Sequence, residues 1–202
     1  KDSKGEKVVD FQNSNLHVLN YSAPVKQKVK RAELKDHLYS LPEHVDWIPY
    51  RTSYYKENWG FCVTDDQYRS LTDPEYDVCI DATLAPGSLT YGEYVLPGEQ
   101  PDEVLLSTHV CHPSLANDNL SGLVVLAAFM QQLAERRRRY TYRALFAPGT
   151  IGAITWLAQH EAGIEQIRHG LVLTCLGDTG PFTYKRSRRQ TATIDRVAEH
   201  VL

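Results

Sequence analysis

Alternation between short apolar stretches and helical segments is the feature that most constrains the fold of this 202-residue chain. Apolar strands are predicted at residues 103–109, 141–147 and 170–176, with helices between them at about 120–138 and 151–162. Strands that alternate with helices favour a mostly parallel sheet flanked by helices, because each helix carries the chain back across the sheet. The second half of the chain is therefore predicted to be an α/β domain.

The first half of the chain has a different pattern, with short strand signals, prolines and many aromatic residues. A hairpin is predicted from residues 7–11 and 17–21, a helix at 31–40, and further strands at 61–63, 76–80 and 88–95. Pro97-Gly98 is predicted to be a boundary. We therefore expect a smaller β-rich module at residues 1–97 and the α/β domain at 98–202.

Composition limits the partners and the compartment that we expect. A formal net charge of −3 gives no reason to expect nucleic acid or an anionic membrane as a partner. No stretch approaches the roughly 20 apolar residues of a membrane span, and the polar start does not resemble a signal peptide. The spacing of the four cysteines fits no zinc-finger or redox motif. We expect a cytoplasmic protein with reduced thiols.

A basic run at Arg136–Arg139 follows the first predicted helix of the α/β domain. It is interpreted as a solvated helix end that interacts favourably with the helix dipole. A phosphate-binding or nucleic-acid-binding patch is the alternative.

Side chains able to bind a metal follow two of the predicted strands. His109, His112 and Asp118 come at the end of the first strand, and Asp178 follows the third. Because the carboxyl ends of parallel strands meet at one edge of a sheet, His109, Asp118 and Asp178 are expected to converge there. Imidazole and carboxylate groups are ordinary zinc ligands. The sequence therefore predicts a divalent-metal site, most readily for zinc.

Each of these residues also has a structural interpretation. Asp118 could cap the helix that begins near Leu120, Asp178 could belong to a turn with Gly180, and His109 could be a hydrogen-bonded buried histidine. Only tertiary structure can decide between these interpretations, because 60 residues (178 − 118) separate the two aspartates.

The segment from His109 to Gly122, with the pattern H-x-C-H-P-S-x-x-N-D-N-L-S-G, resembles the first metal-binding segment of the co-catalytic zinc aminopeptidases. These are enzymes of the leucyl aminopeptidase and glutamate carboxypeptidase type, which have a phosphorylase/hydrolase-like α/β fold. Nearly the whole chain resembles an aminopeptidase-like family with an added β-rich domain. Members of that family are often labelled zinc peptidases or proteins associated with polysaccharide biosynthesis. Other segments typical of it are 15–17, 48–51, 59–62, 89–93, 148–152 and 184–188.

The resemblance implies a ligand set for one or two zinc ions. His109 corresponds to the histidine on one metal, Asp118 to the aspartate that bridges both metals, and Asp178 to the aspartate that shares the metal of His109. In these relatives the peptide bond after the bridging aspartate is cis. The bond between Asp118 and Asn119 is therefore expected to be cis as well, held where Ser121 and Gly122 let the backbone pass closely.

Departures from the family pattern leave the catalytic residue unassigned. Cys111 replaces the aspartate that orients the first histidine in the relatives, so the adjacent His112 is either an added ligand or the orienting group. The relatives carry a Glu-Glu pair, which includes the general base, where this chain has the turn 147–152 without a carboxylate. Their last histidine ligand comes from a later strand. The chain ends at Leu202, so we expect a fragment truncated at the carboxyl end of the domain.

Two functions of different class follow from this sequence. The first is a zinc-dependent metallohydrolase of aminopeptidase type that cleaves a small peptide or related amide. The second is a catalytically weakened, peptidase-like scaffold that binds a metal or ligand in a polysaccharide-related pathway. Tyr184 and Arg188 are candidates for binding an anionic part of the substrate, with a solvated basic hairpin as the alternative. Self-association is left open.

Overall fold

The computed structural model describes residues 1–112 and 115–202. The chain divides into two compact units, Lys1–Gly87 and Ser88–Leu202. The boundary predicted at residue 97 lies later in the chain than this division, because the strand Gly92–Leu96 pairs with a strand of the second unit. Each unit has its own hydrophobic core.

The first unit contains four short strands and two short helices. These are β1 (Val25–Lys30), α1 (Arg31–Leu34), β2 (Leu38–Tyr39), β3 (Phe61–Cys62), α2 (Asp65–Ser70) and β4 (Glu75–Ile80). Strand β1 pairs antiparallel with β4, and β2 pairs parallel with β3, which gives two sheets of two strands each. Two single-residue bridges, Val18 with Phe61 and Asn20 with Thr52, add to these pairings.

Strand β4 shows how the sequence forms this unit. Tyr76, Val78 and Ile80 are buried, whereas Asp77 and Cys79 between them are exposed. This is the partition predicted from the period of two residues along a strand. Tyr76 and Val78 then pack in a core with residues of β1, of α1 and of the segment after α2.

Two predictions for the first unit are wrong. The hairpin expected at residues 7–11 and 17–21 is not formed, because Asn15–His17 is a 3-10 turn and the described residues of these two segments contain no strand. The helix expected at 31–40 stops after Leu34 and continues as a 3-10 turn into β2. Strand β1 was not predicted, since its lysines and glutamine give little apolar alternation.

The second unit is built on a mixed four-stranded sheet with the order β5-β7-β6-β8. Its strands are β5 (Gly92–Leu96), β6 (Glu103–Val110), β7 (Thr141–Pro148) and β8 (Ile167–Val172). Strand β6 is parallel to both of its neighbours, whereas β5 is antiparallel to β7. The helices are α3 (Leu120–Ala134), α4 (Ile151–Gln159) and α5 (Thr193–Val201), with a 3-10 turn at Glu161–Gln166 before β8.

Helices α3 and α4 pack against different sets of sheet residues. Leu126 and Met130 of α3 are almost fully buried with Val104, Leu106 and Ala144 of the sheet. Trp156 of α4 packs with Leu145 and Ala147, the residues of β7 that alternate with Ala144. Alternate side chains of a strand point to opposite faces, so the two helices cover opposite faces. Burial of each such large side chain stabilises the fold by roughly 1.5–3 kcal/mol.

The basic run after α3 caps the end of that helix. The Arg138 guanidinium donates hydrogen bonds to the carbonyls of Leu133 and Ala134 at 2.7 and 3.0 Å, and Arg137 pairs with Glu99. These contacts satisfy carbonyl groups that have no partner within the helix. None of the helices in the described residues is long and apolar enough to cross a membrane.

Candidate metal site

The carboxyl end of β6 brings two of the predicted ligands into contact. His109 is the next-to-last residue of β6, and its Nε2 lies 2.7 Å from Oδ1 of Asp118 in the loop that follows. The side chains are 28% and 58% exposed, so both remain open to solvent. An imidazole nitrogen beside an accessible carboxylate is a donor pair of the kind that holds zinc.

Asn119 anchors this loop to the sheet. Its side chain is fully buried, and its Nδ2 donates to Thr108 Oγ1 at 2.7 Å and to the His109 carbonyl at 3.1 Å. Its Oδ1 accepts a hydrogen bond of 3.1 Å from the main-chain N–H of Cys175. A buried carboxamide is costly unless its groups are paired, and here both ends are paired. Asn119 therefore joins the end of β6 to the segment that follows β8.

Gly122 is required by the close approach of three polar groups. A Cβ atom at this position would lie 2.6 Å from Asn119 Oδ1, 2.7 Å from the Leu173 carbonyl and 2.8 Å from Thr108 Oγ1. No side chain fits at these distances. The glycine of the Asn-Leu-Ser-Gly sequence thus lets α3 begin against the sheet, as the resemblance implies.

The peptide bond between Asp118 and Asn119 is cis, which confirms the expectation taken from the resemblance. Asn119 is the residue that precedes α3, and its side chain makes no capping hydrogen bond to that helix. The interpretation of Asp118 as the cap of α3 is therefore wrong, because the helix begins after Asn119 and the Asp118 carboxylate faces His109 instead.

Asp178 lies beside the same loop. Its Oδ2 accepts a hydrogen bond of 3.1 Å from Asn117 Nδ2, and Asn117 directly precedes Asp118. Its Oδ1 accepts from the Gly180 N–H at 2.8 Å, so the turn predicted for these residues is formed as well. Both interpretations of Asp178 are compatible, since one carboxylate oxygen serves the turn and the other faces the loop.

The predicted four-residue ligand set is only partly brought together. No group of three or more His, Cys, Asp or Glu side chains suited to one metal ion is found in residues 1–112 and 115–202. His109 and Asp118 are in contact, Asp178 reaches the loop through Asn117, and His112 is half-buried. In the same part of the chain, neither Asp118 nor Asp178 forms an ion pair with lysine or arginine. Two carboxylates without a cationic partner fit the requirements of a divalent cation.

The sequence analysis missed the contact between Asn117 and Asp178. Roles were predicted for Ser121 and Gly122 after Asp118, whereas Asn117 was given no role of its own. The signal that could have found it is the pair of asparagines flanking Asp118, because asparagine side chains bind main-chain groups readily in loops.

The two predicted substrate-binding residues differ in their surroundings. The Tyr184 hydroxyl donates to Asp195 of α5 at 2.9 Å, which fixes the ring to that helix. Asp195 is buried, and hydrogen bonds from the Ser187 hydroxyl and main chain lower its pKa to about 2. Arg188 is exposed, and it forms no ion pair within the described residues. Arg188 thus remains available to an anion, whereas the Tyr184 hydroxyl already has a partner.

A second polar cluster lies on the α4 face of the sheet, near the amino end of β6. The Arg143 guanidinium donates to both carboxylate oxygens of Glu103, at 2.7 and 2.8 Å, and to Glu93 at 2.8 Å. Trp156 Nε1 donates to Glu93 at 2.9 Å. Burial raises the pKa of Glu93, but the hydrogen bonds from Trp156 and Arg143 outweigh it and hold the pKa below its usual value. One guanidinium is thus shared by two carboxylates, as in a structural ion cluster.

The first unit contains a cavity of about 660 Å³. Its walls include Phe11, Leu34, Phe61, Leu71 and Val78, and lysines also line it. None of the predicted metal-binding or substrate-binding residues lines this cavity. The cavity therefore does not include the candidate metal site, whose residues belong to the second unit.

A curated protein and a solved structure, both from Clostridium acetobutylicum, are similar to this chain. One is named "Putative polysaccharide biosynthesis protein with aminopeptidase-like domain"; it is 50% identical over 202 residues, which are the whole of this chain and 46% of that protein. The other is a crystal structure described as a "putative peptidase". It superposes with a TM-score of 0.97 at 50% identity, over all of this chain and 48% of the solved one. The chain thus shares its mixed α/β fold and spans about half the length of these relatives.

Family membership of the chain is shown by a match over almost the whole sequence. A family model described as "Domain of unknown function (DUF4910)" matches residues 3–202, and the chain therefore belongs to that family.

Proposed function

We propose that the second unit carries the metal-binding part of a zinc-dependent metallohydrolase of aminopeptidase type, which hydrolyses a small peptide or a related amide. The contact of 2.7 Å between His109 and Asp118 at the carboxyl end of β6 carries this proposal. The printed names of the clostridial matches, "with aminopeptidase-like domain" and "putative peptidase", support the reaction class.

In this proposal His109 and Asp118 hold zinc directly, and Asp178 and His112 complete the set for one or two ions. Their nitrogen and oxygen donors are those that zinc prefers. When bound, zinc supplies Lewis-acid chemistry, since it polarises a carbonyl group and makes water more acidic. The loop residues hold the donors at the sheet edge, because the Asn119 side chain ties the residue after Asp118 to the end of β6 and to the segment after β8.

The substrate is proposed to approach over the segment that follows Asp178. Arg188 would attract an anionic part of a peptide or related amide by its exposed charge. Tyr184 would contribute its ring, because its hydroxyl is engaged by Asp195. Asp195 holds the segment in place through Ser187 and Ala192 as well. This arrangement would present Arg188 on a fixed support.

One observation favours a second candidate function, a catalytically weakened scaffold that binds a metal. The turn from the end of β7 to α4, residues 147–152, carries no carboxylate. Activation of water by a general base needs a group of this kind within hydrogen-bond reach of the attacking water. A scaffold needs the ligands but not the base.

The test uses the full-length protein. Elemental analysis would give its zinc content, and hydrolysis of a panel of aminoacyl-p-nitroanilides would be measured with and without added zinc. We expect His109→Ala and Asp118→Asn to lose both zinc and turnover. His200→Ala, which removes an exposed histidine of α5, is the matched control and should behave as wild type.

The outcomes separate the candidates. Zinc-dependent turnover that disappears in the two site variants supports the hydrolase. Stoichiometric zinc without turnover of any substrate in the panel supports the scaffold. Equal zinc content in wild type and His109→Ala contradicts a metal site at His109 in either form.

A further inference from the structure

Asn117 directly precedes Asp118, and its side chain contacts the segment that carries Asp178. Its Oδ1 accepts a hydrogen bond of 2.7 Å from the Gly177 N–H, and its Nδ2 lies 3.1 Å from Asp178 Oδ2. A main-chain N–H can only donate, so the atom that faces Gly177 must be the amide oxygen. The amide nitrogen must then face Asp178, and it donates to that carboxylate.

Ser121 contacts both the main chain and the side chain of Asn117. The Ser121 hydroxyl donates to the Asn117 carbonyl at 2.6 Å and accepts from the Leu176 N–H at 2.9 Å. Ser121 thus ties the first turn of α3 both to the loop before it and to the segment after β8. The same hydroxyl lies 3.2 Å from Asn117 Oδ1. Asn117→Asp keeps an oxygen at this position, so this variant retains the contact with Ser121.

Gly177 permits the close approach on which the Asn117 contact depends. A Cβ atom at residue 177 would lie 2.9 Å from the Cβ of Ser121 and 3.3 Å from Asn117 Oδ1. The neighbouring Cys175 takes a positive φ of 53°, which is uncommon for a residue with a side chain. The segment that carries Asp178 is thus pressed against the loop that carries Asp118.

We propose that Asn117 is a positioning residue, which orients the Asp178 carboxylate towards the metal held by its neighbour Asp118 and thereby raises the affinity for zinc. This inference rests on the proposed function. A carboxylate that binds a metal keeps its orientation when its second oxygen is hydrogen-bonded, and loss of such a partner typically costs about 10–100-fold in metal affinity.

The test separates this role from a structural one by changing a single atom type. Asn117→Asp keeps an oxygen for the Gly177 N–H and replaces the donor that faces Asp178 with a second oxygen. We expect zinc affinity, measured by competition with a chelator, to fall about 10-fold or more. The visible spectrum of the cobalt-loaded protein should also change, because its band intensities report the ligands of the ion. The thermal midpoint of the metal-free protein should change little.

Asn58→Asp is the matched control. The Asn58 amide donates to the Tyr39 hydroxyl in the first unit, at 3.1 Å, so this variant also replaces a donating amide with a carboxylate. Its zinc affinity and cobalt spectrum should equal those of wild type. If Asn117→Asp does not fold, as judged by circular dichroism, Asn117→Ser provides the same comparison, since it also removes the contact with Asp178.

The results distinguish this inference from the proposed function. If His109→Ala loses zinc but a folded Asn117 variant binds zinc as tightly as wild type and gives the same cobalt spectrum, the inference is overturned and the metal site stands. If His109→Ala binds zinc as wild type does, the proposed function fails, and the role of Asn117 fails with it. Loss of affinity in both variants, with the controls unchanged, supports both.

Discussion

Polar groups at the two ends of strand β6 are held by different kinds of interaction. At the amino end, Glu103 and Glu93 share the Arg143 guanidinium, so opposite charges satisfy one another. At the carboxyl end, the groups that hold the loop are uncharged, and the carboxylates that they support have no lysine or arginine partner in the described part of the chain.

This difference indicates which end is structural and which is open to a ligand. A closed ion cluster has no capacity left for another charge, because its donors and acceptors are already paired. Neutral amides and hydroxyls that fix exposed carboxylates leave the negative charge available. The comparison therefore predicts that removing a charged group at the amino end reduces the stability of the fold, whereas removing a carboxylate at the carboxyl end mainly affects binding.

The largest effect on stability is expected from removing the shared cation. Arg143→Met would leave Glu93 and Glu103 partly buried without their partner, and it should lower the free energy of unfolding by about 3 kcal/mol. Urea denaturation would measure this. Arg168→Met removes an arginine from an exposed pair with Asp102 and should cost less than about 1 kcal/mol. Equal losses of unfolding free energy in the two variants would show that the amino-end cluster stabilises the fold no more than an exposed ion pair does.

A smaller effect is expected where the loop passes the sheet. Gly122→Ala would force a Cβ atom against Asn119 and Thr108, and overpacking of this kind costs about 1–3 kcal/mol. Gly163→Ala, where no atom lies within 4 Å of the added carbon, is the control. Denaturation of both variants would test the close approach. A Gly122 variant as stable as the control would mean that the loop can move away from the sheet.

The pH dependence of stability should also show the contribution of the amino-end cluster. The pKa of folded Glu93 lies below its usual value of 4.5, so its interactions stabilise the fold above that value and are lost as the pH falls through the folded pKa. Glu93→Gln should therefore reduce the loss of stability between neutral pH and pH 3, as measured by thermal midpoints. Glu135→Gln, at the exposed end of α3, should leave that loss unchanged. The same acid dependence in wild type and Glu93→Gln would contradict the proposed contribution of the cluster.

The smallest effect is expected from cysteine alkylation, which tests the carboxyl end without any mutation. Cys62 is buried, and burial raises its pKa to about 11, so it should stay unmodified in the folded protein. Exposed Cys79, Cys111 and Cys175 should react with iodoacetamide. If zinc binds at the loop, it should slow the reaction of Cys111 and Cys175 but not that of Cys79 in the first unit. Mass spectrometry would follow each site, and equal protection of all three would argue against a local effect.

The secondary structure of the second unit was largely predictable, and that of the first was not. Strand β6, strand β7 and helix α3 follow apolar patterns long enough to identify, although β8 ends at Val172 instead of continuing to residue 176. In the first unit the strands are two to six residues long, and β1 carries lysines on its exposed side. Such short or polar strands form because a partner strand is present, which a local pattern does not record.

The candidate site was predictable in its residue types and not in its partners. The motif and its resemblance identified His109, Asp118 and the cis peptide bond, and the structure confirms that bond. The contact between Asn117 and Asp178 was missed, because it joins residues that are 61 positions apart in the sequence. The metal and its ligand set remain predictions.

The sequence by itself determined the order of the elements in the second unit and the chemistry of the candidate ligands. These properties are local, since they depend on side-chain period and donor type. Only the tertiary structure decided that the amide of Asn117 meets Asp178 and that Arg143 is shared by two glutamates. Such pairings depend on which strands lie side by side, and packing of the whole sheet sets that arrangement.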